Sequence, residues 1–143
     1  MIICYIDGAC APTNPGGYIG IGIYIEKDGK PFAKYSQFIE KSPDNSNNVA
    51  EYWALIWALK WLNALIEEDE IIIKGDSKLV MLQMCGEWKI NGGAYEKYAK
   101  MAMGLMQKKI TFQWIPRLQN KIADDLSKIG FVERNINTEF FKK

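Results

Sequence analysis

The pattern of apolar and polar positions divides the chain into two kinds of segment. Ile2-Ile3-Cys4-Tyr5-Ile6 is apolar without polar alternation, which is how a strand covered on both faces reads. It is expected to end at Asp7-Gly8-Ala9-Cys10. Asn14-Pro15-Gly16-Gly17 breaks the chain, Tyr18 to Glu26 alternates glycine with Ile and Tyr as a second strand, and Lys27-Asp28-Gly29-Lys30 makes a hairpin turn. A third strand from Phe32 to Ile39 completes an antiparallel meander. Glycines 16, 17, 20 and 22 are explained by close packing or bulges, since no helix start follows them.

The period then changes. Glu51, Leu55, Ala58, Leu62 and Leu65 recur at helical steps on one face, with Trp53, Trp57 and Trp61 along another. Asn48 is the expected N-cap, and Glu67-Glu68-Asp69-Glu70 closes the helix. Ile71-Ile72-Ile73 is a second covered strand, ending in Lys74-Gly75-Asp76-Ser77. Helices are expected over Lys78 to Gly86 and Ala94 to Gln107, with Asn91 among the residues that punctuate between them. A fifth strand covers Ile110 to Pro116, and a last helix starts near Leu118 to Asn120. The fold class is therefore α/β, with a five-stranded mixed sheet: three antiparallel strands, then right-handed parallel crossovers, flanked by helices. One domain over residues 1–143 is expected, with 131–143 as a tail whose Phe140 and Phe141 dock on the body.

Three acids stand where this architecture makes them informative. Asp7 and Asp76 each follow a buried strand, and Glu51 begins the helix face that packs on the sheet. Each has a plainer reading: Asp7-Gly8 as a turn, Glu51 as the capping-box partner of Asn48, and Asp76 as an N-cap. If strand four lies beside strand one, however, Asp7 and Asp76 emerge at the same edge, Glu51 reaches them, and Asp124 or Asp125 completes the group. Clustered carboxylates without cations repel, and the ordinary remedy is a divalent metal. Hard oxygen ligands without Cys or His favour Mg²⁺ or Mn²⁺ over zinc.

Composition narrows the setting. The 143 residues carry a net charge of +1, yet residues 1–70 sum to −5 and 71–143 to +6, which suits a polyanion lying over the second half. Cys4, Cys10 and Cys85 lack metal-type spacing and read as reduced core thiols of an intracellular protein, with a single disulfide as the alternative. No run of about 18 apolar residues is present for a membrane span. The N-terminus does not read as a signal peptide, so a cytoplasmic location is expected.

Asp7-Gly8-Ala9-Cys10 with Asn14-Pro15-Gly16, Asn47-Asn48-Val49-Ala50-Glu51, Gly75-Asp76-Ser77 and Asn120-Lys121-Ile122-Ala123-Asp124-Asp125-Leu126 stand in an order and at separations that resemble ribonuclease H of type 1, from Ile2 to Ile129. The resemblance implies that Asp7, Glu51, Asp76 and Asp124 bind two metal ions, Asp124 being preferred over Asp125 because it follows Asn120 and Ala123 at the family's spacing. It implies hydrolysis of the RNA strand of an RNA/DNA hybrid, giving 5′-phosphate and 3′-hydroxyl ends, with double-stranded RNA as a side substrate, by a monomer. Gly8, Cys10, Asn14 and Asn48 match RNA-contacting positions, Asn14 one residue later than the common spacing. Ser46 and Asn47 match a DNA-phosphate pocket, and Ser77, Lys78 and Asn120 join the substrate-binding set.

Two departures place the chain with archaeal-type and plant-type members. It has no histidine, so the mobile histidine before the last helix is missing, and Arg117 is the candidate in its place, able to hold phosphate but not to act as a base. Glu87-Trp88-Lys89-Ile90 is too short and too weakly basic for the family's basic protrusion, leaving Lys78, Lys89, Lys121 and Trp88 to supply affinity. A 3′-5′ exonuclease is expected to carry Asp-x-Glu on the first strand, which Asp7-Gly8-Ala9 does not match. A transposase or resolvase core would bring an added DNA-binding region. A catalytically silent hybrid-binding domain is the alternative from another class, and four retained acids facing a polyanion speak against it.

Overall fold

The computed structural model describes residues 1–65, 70–90 and 92–137. Five strands form one sheet: β1 (Ile2–Ala11), β2 (Tyr18–Lys27), β3 (Lys30–Ile39), β4 (Ile71–Gly75) and β5 (Ile110–Trp114), in the order β3-β2-β1-β4-β5. β2 runs antiparallel to β1 and β3, while β4 runs parallel to β1 and β5 parallel to β4. The β2–β3 turn takes positive φ at Asp28 and Gly29, the type I′ geometry that matches strand twist.

Four helices cover the sheet: α1 (Asn47–Asn63), α2 (Lys78–Met84), α3 (Glu96–Gly104) and α4 (Lys121–Glu133). α1 packs on β1 and β2, with α2 and α3 against it, and α4 crosses β1, β2 and β3. α1 buries Val49, Ala50, Tyr52, Ala54, Leu55, Ile56, Ala58, Leu59 and Leu62. Trp53 packs on Tyr98 and Trp57 on Tyr35, so this helix is covered nearly all round rather than on one stripe. The Tyr52 hydroxyl donates to Gln83 Oε1 and its ring stacks on Tyr95, tying α1 to α2 and to the start of α3.

Several sequence expectations move. β1 does not end at Asp7 but continues to Ala11, because β2 goes on pairing with it as far as Ala11↔Tyr18. What ends at that point is the parallel partner: β4 pairs only up to Ile6↔Gly75. The N-cap of α1 is Ser46, whose Oγ accepts from the Val49 N–H, and not Asn48. α2 stops at Met84, α3 spans less than expected at both ends, and β5 stops at Trp114 ahead of a 3-10 turn over Arg117–Gln119. α4 takes in the first residues of the segment read as a tail, with Phe131 fully buried. Phe140, Phe141, Asn91 and Glu67-Glu68-Asp69 lie outside the described residues. Cys4 and Cys10 are buried, but Cys85 is exposed, so it is not a core thiol; all three are free. Among the described residues no helix is long and apolar enough to cross a membrane.

Candidate metal and nucleic-acid site

The site lies where β4 leaves β1. Asp7 is the first β1 residue beyond the parallel pairing, and Asp76 follows directly on Gly75, so the two aspartates emerge side by side. The backbone group that the parting frees is taken up elsewhere: the Ile6 carbonyl accepts from Asn120 Nδ2 at 2.8 Å. On the other side of β4 the ladder to β5 continues, the Gly75 carbonyl accepting from the Ile115 N–H at 2.9 Å. Glu51 arrives from α1. A side chain at Gly8 would place its Cβ 2.3 Å from the Ala50 carbonyl oxygen, so only glycine lets β1 approach the start of α1 this closely. The Gly8 N–H then donates to Glu51 Oε1 at 2.9 Å and to Asp7 Oδ1 at 3.0 Å. Glu51 is thus directed at the sheet and makes no capping box.

Ligand oxygens of Asp7, Glu51 and Asp76 all lie within 4.8 Å of one another. Glu51 Oε2 is buried with no hydrogen-bond partner. Burial, then the charges of Glu51 and Asp76, push the Asp7 carboxyl well above the usual range, and side-chain hydrogen bonds with Glu51 and Asp124 also favour its protonated form. Burial raises Glu51 too, against the hydrogen bonds from Asp7 and Gly8. Asp76 is raised by burial, with Arg117 pulling the other way. Asp124 differs: burial acts to raise it, but Lys128, Asp7 and Arg117 hold it below the usual range.

The three acids form the floor of an open cleft of about 460 Å³, also lined by Gly8, Asn47, Asn48, Ser77, Trp114, Arg117, Asp124 and Lys128. Arg117 Nη2 stands 3.7 Å from Asp124 Oδ1, and Lys128 Nζ contacts both Asp124 oxygens. Asn47 is fixed at the rim by two bonds: its Oδ1 accepts from the Cys10 N–H, and its own N–H donates to Asn14 Oδ1. Ser46 serves as the α1 cap, and Cys10 Sγ donates to the Thr13 carbonyl. Ser77 caps α2 through the Val80 N–H.

Asn120, expected among the substrate contacts, is instead in the interior at 1% exposure, tying the start of α4 to β1. The physical reason is the Ile6 carbonyl, which has no strand partner once β4 has left. Lys78 lies over the Trp114 ring at 4.8 Å, at the edge of the cleft. Lys121 pairs with Asp125 on the exposed side of α4, which also separates Asp125 from the acidic cluster. Three cleft residues, Ala9, Lys128 and Trp114, are not among the candidates the sequence offers. Lys128 had a signal, its place one helical turn after Asp124, and Trp114 had none beyond its position at the end of an apolar strand.

This donor set fits a hard divalent cation. Oxygen ligands converge, and one buried carboxylate oxygen is unpartnered.

The reverse transcriptase-like family model matches residues 6–130. Among solved structures, LC11-RNase H1 in complex with an RNA/DNA hybrid is 35% identical, covers 88% of this chain and 93% of its own, and superposes with a TM-score of 0.71. The chain belongs to the type 1 ribonuclease H family. Ribonuclease HI of Halobacterium salinarum is 33% identical over 125 residues, 86% of this chain and 60% of that protein. The crystal structure of the RNase H1 from that archaeon gives a TM-score of 0.80 at 28% identity, covering 92% of this chain and 98% of its own. The N-terminal RNase H domain of Rv2228c from Mycobacterium tuberculosis gives 0.77 at 30% identity, over 89% and 95% of the two chains. This ribonuclease H chain spans about a third, 32%, of the full mycobacterial bifunctional protein.

Proposed function

We propose that this ribonuclease H domain is a metal-dependent endonuclease that hydrolyses the RNA strand of RNA/DNA hybrids, leaving 5′-phosphate and 3′-hydroxyl ends. The observation that carries the reading is the meeting of Asp7, Glu51 and Asp76 within 4.8 Å on the floor of an open cleft. The hybrid bound by its relative LC11-RNase H1 supports the substrate class. Asp7, Glu51, Asp76 and Asp124 would hold two ions, Mg²⁺ or Mn²⁺. Such a pair, when bound, supplies Lewis-acid activation of the attacking water and stabilisation of the leaving 3′-oxygen.

The chain's own residues set the geometry. The Gly8 N–H fixes Glu51 Oε1, and the Trp114 indole N–H donates to the Asp76 carbonyl at 3.1 Å, holding that backbone in place. Arg117, always charged, stands in the cleft beside Asp124 and is placed to hold a phosphate oxygen. Asn47, Asn48 and Ser77 line the rim, where hydroxyl and amide groups suit 2′-hydroxyl and phosphate contacts that read hybrid shape rather than sequence. The same shape reading extends to double-stranded RNA as a side substrate, and the enzyme is proposed to act as a cytoplasmic monomer.

The test is cleavage of an end-labelled hybrid with Mg²⁺ or Mn²⁺, comparing the wild type with Asp7→Asn and using single-stranded RNA, DNA duplex and RNA duplex as controls. Metal-dependent cutting of the RNA strand, abolished by the substitution, is expected. Binding without cutting by metal-loaded wild type would establish the silent hybrid-binding alternative.

A further inference from the structure

The fourth carboxylate of the cleft differs from the other three in being held by a lysine of its own helix. Both oxygens of Asp124 accept from Lys128 Nζ, at 2.9 and 3.0 Å. The pair is set by α4 itself, since Lys128 lies four residues on, one helical turn away. It differs from the exposed Lys121–Asp125 pair on the same helix, because its side chains are only 20% and 18% exposed. Lys128 also lines the cleft, and Arg117 approaches Asp124 from the neighbouring 3-10 turn.

A divalent ion that draws on Asp124 therefore competes with an ammonium of the chain that already engages both of its oxygens. An ion held by Asp7, Glu51 and Asp76 meets instead an unpartnered carboxylate oxygen and relieves repulsion. We infer that Lys128 is a tethered competitor for the second metal ion, keeping Asp124 paired until that ion displaces it, so that the cleft loads its two ions in unequal steps. The inference rests on the two-ion reading above. Lys128 is a positioning residue here, acting through Asp124. If the pair served only to brace α4, removing Lys128 would change stability and leave the second ion's affinity where it was.

The experiment is a Mn²⁺ titration of the metal-free full chain, with free ion counted by electron paramagnetic resonance, for the wild type, Lys128→Met and Lys128→Arg. The wild type is expected to show one tighter and one weaker site. Lys128→Met is expected to tighten the second site about tenfold and leave the first within about twofold, while Lys128→Arg, which keeps the cation, retains the wild-type ratio. Lys128→Gln replaces Lys128→Met if thermal melts show the latter unfolded. An unchanged second affinity in the charge-removing variant overturns the inference, as does equal tightening in Lys128→Arg. Hybrid cleavage by the wild type in the same buffer separates the two readings. Two ions bound and hybrid cut, with no change on removing Lys128, sinks the competitor alone; tightening of the second site without cutting sinks the nuclease reading alone, and no second Mn²⁺ bound sinks both.

Discussion

Asp7 shows at the scale of one residue what an active centre costs the fold. Its carboxylate is buried, and Glu51 and Asp76 stand beside it, so the ionised form is disfavoured twice over. Asp7→Asn keeps the shape and removes one of three repelling charges. It is expected to stabilise the metal-free protein by about 1–2 kcal/mol and to lower the cleavage rate by on the order of 10³-fold, as several kcal/mol of charge stabilisation go with the ligand. Chemical denaturation and single-turnover cleavage measure the two effects, and a variant that lost both stability and activity would point to misfolding instead. A second expectation follows from the absence of histidine. At saturating Mg²⁺ the rate should rise with pH through the alkaline range with no inflection near the ordinary histidine value of about 6.5. A bell centred near neutrality in the pH–rate profile would require another general base.

At the scale of an element, α4 decides where Asp124 and Lys128 stand. It lies on β2 almost backbone to backbone: a Cβ at Gly20 would fall 2.0 Å from the Ser127 carbonyl oxygen, and one at Gly22 would fall 2.1 Å from that of Ala123. These contacts are to main chain, which cannot rotate away. Gly22→Ala is therefore expected to push α4 off the sheet, costing about 2–3 kcal/mol and lowering cleavage at least about tenfold by displacing Asp124. Denaturant melts and kcat measured at saturating metal check this, and full activity in a stably folded Gly22→Ala would show that α4 need not sit this close. The glycines of β2 were legible in the sequence as close-packing positions, but their partner was not, because Ala123 and Ser127 lie about a hundred residues away.

For the whole molecule, the acidic cluster links stability to pH and to metal. Asp7, Glu51 and Asp76 have carboxyls raised on folding. Such groups bind more protons folded than unfolded. Their contribution is thus fully present below the unfolded carboxylate value of about 4 and is lost as pH rises through the raised folded values. Asp124, held low, acts oppositely: its contribution is present above that value and lost as pH falls through its lowered one. The metal-free protein is expected to melt higher near pH 5 than near pH 8. Mg²⁺ should raise Tm more at pH 8, because the ion binds carboxylates already free of protons. Calorimetry with chelator and with Mg²⁺ measures both, and a metal-independent Tm at pH 8 would mean that the cluster holds no ion.

By itself the sequence determined the strands, most helices and the identity of the acids, since these depend on local periodicity and on short motifs whose order survives without coordinates. The sequence pattern places Asp7 at the end of the first strand, whereas β1 runs on to Ala11 and the strand that ends at that level is β4. Only the tertiary structure decided that Glu51 turns from its own helix cap to Gly8 and that Asn120 is spent on the Ile6 carbonyl. Each of those outcomes depends on which backbone groups are left unpaired when distant segments meet. A buried N–H or C=O takes whatever partner the fold brings to it, and that partner has no signature in its own neighbourhood of the chain.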